Sequence, residues 1–456
     1  MYNNDNNNTE IDELAKNGED AENIDFVNAL DKLSIEDKLV NIQYSNTIKV
    51  PKKAEHNLRK YIGIKALKSI YPDIETAIEL CLIYLSQLSN IFYLSNEALK
   101  QMKNNETEEN IMKPLSSKKL QNIFTLDMEM YLRIQNLLLK GTAKGPFIET
   151  DGFYSINGNK SKLFKYGSAY TNKGIVKYEL KTEIAINIKK NYTIKTIKKH
   201  DNLIINNCYK FYQNIKLPTV EELIIKGNEL AKRLETKKGK IFTKGSRLKS
   251  KHKDKKNRIF IDDQIELFLR LTECGLTAPL AGSEDSGGRV VDSFTLMPSW
   301  IRKMVKYDGQ ILNELDYSAL HPNLIVTIYK GKKHFINHQE IAQDLSIDYN
   351  KAKLLNLSFF NLNHRHFLQH KLYKYYNNVI PDTIKLVYED KKIGVKTHQL
   401  LFKKEVELMS EVIKQCNEQN IYPCYVYDAL YTNKPEIVKK IMNDVAFAMN
   451  IYTRAN

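Results

Sequence analysis

Long apolar runs are absent from this 456-residue chain, and no window reaches the ~18 consecutive apolar residues that crossing a bilayer takes. No membrane partner is expected. The opening stretch, MYNNDNNNTEIDELAKNGEDAEN, has no basic region followed by an apolar one, so no secretory signal is expected and the protein is placed in the cytoplasm. Cysteine is scarce: Cys81, Cys208, Cys274, Cys416 and Cys424 are widely scattered, and no two have the CxxC spacing that sets a pair of thiolates on one zinc. They read as reduced structural thiols. There is no GxxxxGK followed by Ser or Thr, which argues against a built-in helicase motor. Tryptophan occurs once while Lys, Asn, Ile and Tyr abound, a bias typical of an A+T-rich genome that says little about chemistry.

What is present is positive charge. Lys and Arg number 69 against 54 Asp and Glu, a formal charge of +15. At roughly 100–200 residues per domain the length suggests two or three domains. The balance of 42% hydrophobic and 27% charged residues supplies a buried core and excludes disorder throughout, collagen and coiled coil. Residues 1–24, Asn-rich and acidic, are expected to be a disordered tail. Residues 25–140 carry apolar residues at three- and four-residue spacing, as in IETAIELCLIYLSQLSNIFYLSNEALKQM, and are expected to form a helical module. From about Gly141 to Ile205 short β-prone runs with Gly and Asn turns suggest a strand-rich insertion. The densest charge follows, KKGKIFTKGSRLKSKHKDKKNR from Lys237 to Arg258. Lys244, Arg247, Lys249, Lys251 and Lys253 are its candidates for contact with a polyanion, because each phosphate neutralised releases a condensed counterion. A solvated loop is the alternative.

Two aspartates carry the chemical argument. NELDYSALHPNLIV reads as a strand ending at Asp316, and YPCYVYDALYTN reads as alternating residues leading to Asp428, with Ala429 to Asn433 returning as the second arm of a hairpin. Carboxylates from two strands can share a pair of magnesium ions about 3.5–4 Å apart, which is what transfer of a nucleotidyl group to a growing strand requires. Between them, HQEIAQDLSIDYNKAKLLNLSFF has helical spacing that sets Lys353 on its polar side, with His338 a few turns upstream. A helix with a Lys and a His can clamp a triphosphate and protonate its leaving group.

In their order, Arg289, Arg302, LDYSALH, KAKLLNLSFF and VYDALY followed by KPEIVKKIM resemble the polymerase domain of family A DNA polymerases, and more distantly the single-subunit RNA polymerases. The likeness covers about residues 286–456. It implies an α+β right-hand fold, with an antiparallel-sheet palm from residues 286–330 and 395–456 and helical fingers from 331–394. Residues 141–285 would then hold the strand-containing insertion and a basic thumb-like region. The resemblance further implies that Asp316, Asp428 and the backbone carbonyl of Tyr317 bind two Mg2+ ions, Mn2+ being an alternative. Lys353 would contact the incoming triphosphate and act as general acid, with Lys351 nearby and His338 as the phosphate-binding histidine. Gly288, Arg289, Arg302 and Gln399 (in THQLLFKKEVEL) match residues around the primer–template and the substrate.

The departures are specific. Where the family has His-Asp-Glu at the second acid this chain has Tyr427, Asp428 and Ala429, so the histidine and the accessory glutamate are missing. In the fingers the arginine four residues before the lysine is Tyr349, and the usual Phe is Leu357. The glutamate that blocks a ribose 2′-hydroxyl, five residues after the first aspartate, is His321, whose ring is bulky enough to exclude that oxygen. It alternatively only caps its neighbour Pro322. Asp127 and Glu129 are explained by a helix with two exposed acids better than by a proofreading Asp-x-Glu. The His364-Arg365-His366 triplet has a charged middle residue where a nicking motif needs an apolar one on a strand. In HFLQHKLYKYYNNVIP, rings stacking on unpaired template bases and rings packing a core are both open. The expectation is a DNA polymerase without proofreading, acting on a primer–template with nucleoside triphosphates and suited to a mobile element. An RNA-synthesising relative (primase or single-subunit RNA polymerase) and a non-catalytic nucleic-acid binder are the alternatives.

Overall fold

The structure is a computed structural model that describes residues 33–90, 112–125, 127, 129–140, 142, 145–152, 162–167, 170, 174–247, 249–332 and 335–456. The tail expected at residues 1–24 lies outside them. Helices dominate and the strands are short, gathered in sheets of two or three. Among the described residues the strands pair antiparallel except where Lys240–Thr243 runs parallel to Arg258–Phe260. Among the described residues no helix is long and apolar enough to cross a membrane.

Two hydrophobic cores organise the chain. The first is built around the helix Ile74–Ser89, started by the Asp73 carboxylate on the Thr76 N–H and buried from Thr76 to Ser89. A helix apolar on all sides must be surrounded, and here Ile148, Phe164 and Tyr166 from short strands close over it. The carboxylate of Glu79, 2% exposed, accepts from the N–H groups of Lys181 and Thr182 and the hydroxyls of Thr182 and Tyr178. That fixes the start of the helix Glu183–Lys199.

The second core gathers Leu39, Ile42 and residues from Ile197 to Ala455. At its centre is a three-stranded sheet ordered Asn313–Asp316, Ala429–Thr432, Cys424–Val426. The helices Leu203–Tyr212, Leu320–Ile328, Thr397–Glu418 and Pro435–Ala448 pack around it. The strand and hairpin expected at Asp316 and Asp428 are therefore the core of this half.

Two segments expected as single helices are broken. The run after His338 is two helices, His338–Asp344 and Tyr349–Phe359, packed on one another. Ser346 is left-handed at the turn, and the Asp348 carboxylate accepts from the Lys351 N–H to begin the second helix. The aromatic stretch is likewise divided at His370 into His364–Gln369 and Lys371–Val379, the His370 ring capping the Leu372 N–H. Phe367, Tyr375 and Tyr376 are buried, so core packing accounts for them. Asp127 and Glu129 lie in the turn ahead of the helix Met130–Leu139 rather than on it, with Asp127 paired to Arg133 at 2.6 Å.

Candidate active site

The strand Asn313–Asp316 pairs antiparallel with Ala429–Thr432 in a register that sets Asp316 opposite Ala429. Opposed Cα atoms lie about 4.5–5.5 Å apart and one further step is 3.8 Å, so the Cα of Asp428 is within about 9 Å of that of Asp316. Asp428 sits in the hairpin turn between Val426 and Ala429, after a left-handed Tyr427 with φ 59°. Two acidic residues from distant segments are thus brought close in the structure. Burial and the neighbouring Asp428 push the Asp316 carboxyl up to about 7, with Lys353 acting in the opposite direction. Asp428 is pushed above the carboxylate range too, by burial and by Glu405. One buried oxygen of Asp316, Oδ1, has no hydrogen-bond partner.

Those properties fit a cation. Two buried acids, both raised by burial and by neighbouring carboxylates and one with an orphaned oxygen, are groups that a divalent ion would satisfy. Among the described residues no cluster of three or more His, Cys, Asp or Glu is arranged to hold a metal ion. The Tyr317 side chain points away, buried with its hydroxyl on the Met442 carbonyl at 2.7 Å. Its backbone lies against Ala455, in a pairing whose hydrogen bonds join Ser318 N–H to the Arg454 carbonyl and Asn456 N–H to the Asp316 carbonyl. Neither bond uses the Tyr317 carbonyl.

Beside Asp428 is a network that sequence reasoning missed. Glu405, fully buried on the helix Thr397–Glu418, accepts from Arg289 Nε at 2.7 Å and from Arg289 Nη2 at 2.5 Å, and its Oε2 lies 2.8 Å from His321 Nε2. The Arg289 guanidinium lies over the Phe402 ring at 3.6 Å and near that of Tyr427 at 5.2 Å. Burial works against the Glu405 charge, but bonds from His321 and Arg289 prevail and hold it below the ordinary carboxylate range. His321 is therefore anchored to Glu405 rather than merely capping Pro322. The available signal was an acid in the apolar stripe Leu401, Glu405, Leu408, Val412 of a helix, a position that demands a partner.

Lys353 is exposed on the helix Tyr349–Phe359, its charge felt at Asp316. His338 meets Tyr349 edge-on at 6.1 Å, and burial, then Lys353, pushes its imidazole down to about 4, so it is neutral at pH 7. Lys351 is exposed at the start of the same helix.

The remaining candidates lie around these. Gly287 and Gly288 are both left-handed, and a Cβ on Gly287 would meet the backbone of Phe402 and Lys403 at 2.5 Å, so this loop lies directly on the Glu405 helix. Gln399 of that helix and Lys396, just ahead of its first residue, bind Asp285 of the loop. Arg302 donates to the Thr295 carbonyl at 3.0 Å and lies over the Tyr431 ring at 5.3 Å. Lys244, Arg247, Lys249, Lys251 and Lys253 are exposed on the connection between the parallel strands Lys240–Thr243 and Arg258–Phe260. No protein-family model matches the chain, and no curated protein matches it.

Proposed function

We propose that this chain is a template-directed nucleotidyl transferase that adds deoxynucleotides to a primer 3′ end. The observation that carries the reading is the pairing of Asp316 opposite Ala429, which brings Asp428 beside it with both carboxyls raised. Structural acids at a strand end gain a cap or an ion pair; these two instead repel each other, and Oδ1 of Asp316 is unsatisfied.

In this reading Asp316 and Asp428, with the Tyr317 carbonyl, would hold two Mg2+ ions. Magnesium bound there supplies acidification of the primer hydroxyl and neutralisation of the charge that develops on the phosphates. The chain's own residues do the rest. Lys353 and Lys351 meet the triphosphate, and Lys353 can return a proton to the departing pyrophosphate. His338, neutral before substrate arrives, offers a ring N–H to a phosphate oxygen. His321, held by Glu405, stands where a ribose 2′-hydroxyl would come and favours a deoxyribose. Gly288, Arg289, Gln399 and Arg302 would line the primer–template, and Lys244, Arg247, Lys249, Lys251 and Lys253 its backbone.

Primer extension with dNTPs or NTPs, on DNA or RNA templates, tests this. The expected result is templated dNTP incorporation, lost by several orders of magnitude in Asp316→Asn and in Asp428→Asn while binding of primer–template stays nearly intact. Preferential NTP use would assign the chain to RNA synthesis. Full activity in both variants would remove the metal-site reading.

A further inference from the structure

The strand that carries Asp316 leads back to a group of cations that meets a single acid, Glu314. Side chains alternate along a strand, so Glu314 lies on the same face as Asp316 and about 7 Å behind it. Glu314 is paired across the sheet with Tyr431, over whose ring Arg302 lies, and its carboxylate is 3.3 Å from Lys303 Nζ. A separate segment reaches the same place. The strands Thr236–Lys237 and Lys240–Thr243 form a hairpin in which Lys237 pairs with Lys240, closing a two-residue turn at Lys238 and Gly239. Half-buried Lys237 donates from Nζ to the hydroxyl of Ser299, the first residue of the helix Ser299–Arg302. Arg302 and Lys303 follow one turn later.

Lys237, Arg302 and Lys303, from two segments, thus lie near one carboxylate, with Lys238 next to Lys237 at the hairpin tip. Burial lowers the Lys237 pKa, and Arg302, Lys238 and Lys303 lower it further, with Glu314 opposing them. Positive charge packed against itself is unfavourable unless an anion completes it. Lys238 carries a second mark: φ is 49° at the hairpin tip, a conformation normally left to Gly, Asn or Asp. At this tip the Lys238 side chain is exposed.

We infer that Lys237, Lys238, Arg302 and Lys303 form a clamp for the phosphates of the nucleic-acid strand whose 3′ end reaches Asp316 and Asp428, gripping it a few nucleotides behind that end. The inference takes the position of the 3′ end from the proposed function. Phosphates fit because they are repeated anions on a chain that must leave the carboxylate pair along one direction. The hairpin and the helix Ser299–Arg302 bring their cations to the region around Glu314.

Binding of the full-length protein to a fluorescein-labelled primer–template duplex, followed by anisotropy from 50 to 200 mM salt without divalent ions or triphosphates, tests the clamp. Lys238→Ala and Lys303→Ala should each weaken binding about fivefold and flatten the log–log salt slope by about 0.9, and the double variant by about twice that. Lys238→Glu should weaken it further. Lys440→Ala, removing a lysine paired with Asp444 on the helix Pro435–Ala448, should change neither quantity. A double variant with the parent's affinity and slope, or a Lys440→Ala effect equal to that of Lys238→Ala, overturns the clamp. No readout involves catalysis: a clamp that binds without dNTP incorporation removes the polymerase reading alone, and incorporation with unchanged binding removes the clamp alone.

Discussion

Replacing Asp316 by asparagine is expected to abolish synthesis and, without metal, to stabilise the protein. The two effects share one cause. In the folded chain the Asp316 carboxyl is raised from 3.8 to about 7, because it is buried beside Asp428. A group raised on folding contributes stability fully below its unfolded value, and that contribution is lost as pH climbs through its folded one. The window here runs from about pH 4 to pH 7. A carboxyl raised from 3.8 to about 7 corresponds to about 4 kcal/mol, and the part-open carboxylate reduces this to about 2–3 kcal/mol. Asparagine keeps the shape and removes the charge. Chemical denaturation of both proteins in EDTA should therefore show Asp316→Asn more stable by about 2–3 kcal/mol at pH 8 and the two equal near pH 4. Added Mg2+ should stabilise the parent and leave the variant almost unchanged. A variant less stable than its parent at pH 8 in EDTA, or one stabilised equally at both pH values, would refute the idea that the carboxylates repel in an unfilled ion site.

Three other perturbations probe the surroundings. Glu405→Ala should cost about 3 kcal/mol in denaturant, since it strands the Arg289 charge. The milder Glu405→Gln should lower the dNTP-over-NTP preference in single-turnover incorporation, and unchanged preference would leave His321 without a role in sugar choice. His338, pushed down to about 4, is neutral at pH 6, so a triphosphate placed beside it should draw a proton in. Calorimetry in buffers of different ionisation heat should then show proton uptake and tighter binding as pH falls from 7 to 5.5, both missing in His338→Gln. Uptake of equal size in the variant would exclude this histidine. Gly287→Ala should cost at least about 2 kcal/mol and weaken primer–template binding, because φ is +64° and the new methyl group meets the backbone of Phe402 and Lys403; a neutral result would show that the loop can lift away from its helix.

Local chemistry was readable from the residues themselves. The strand ending at Asp316 and the hairpin around Asp428 follow from a two-residue period and a turn, and both depend on neighbours in the chain. The helix Ile74–Ser89 was legible from its three- and four-residue apolar spacing, whereas its burial on every side was not. Breaks were harder. The division of the His338–Phe360 run depends on one left-handed serine and an Asp348 cap, features weak beside a helical period.

Spatial partners needed the fold. The aspartates' own spacing does not say that Asp316 faces Ala429; the register of a sheet formed across more than a hundred residues does. Glu405 shows the limit most sharply. Its burial in an apolar helix stripe announces that it must be paired, whereas the choice of Arg289 and His321 rests on how the helix Thr397–Glu418 lies against the glycine loop and the Leu320–Ile328 helix. Residue type and local period specify what a side chain requires; only the packing of distant elements decides which group meets the requirement.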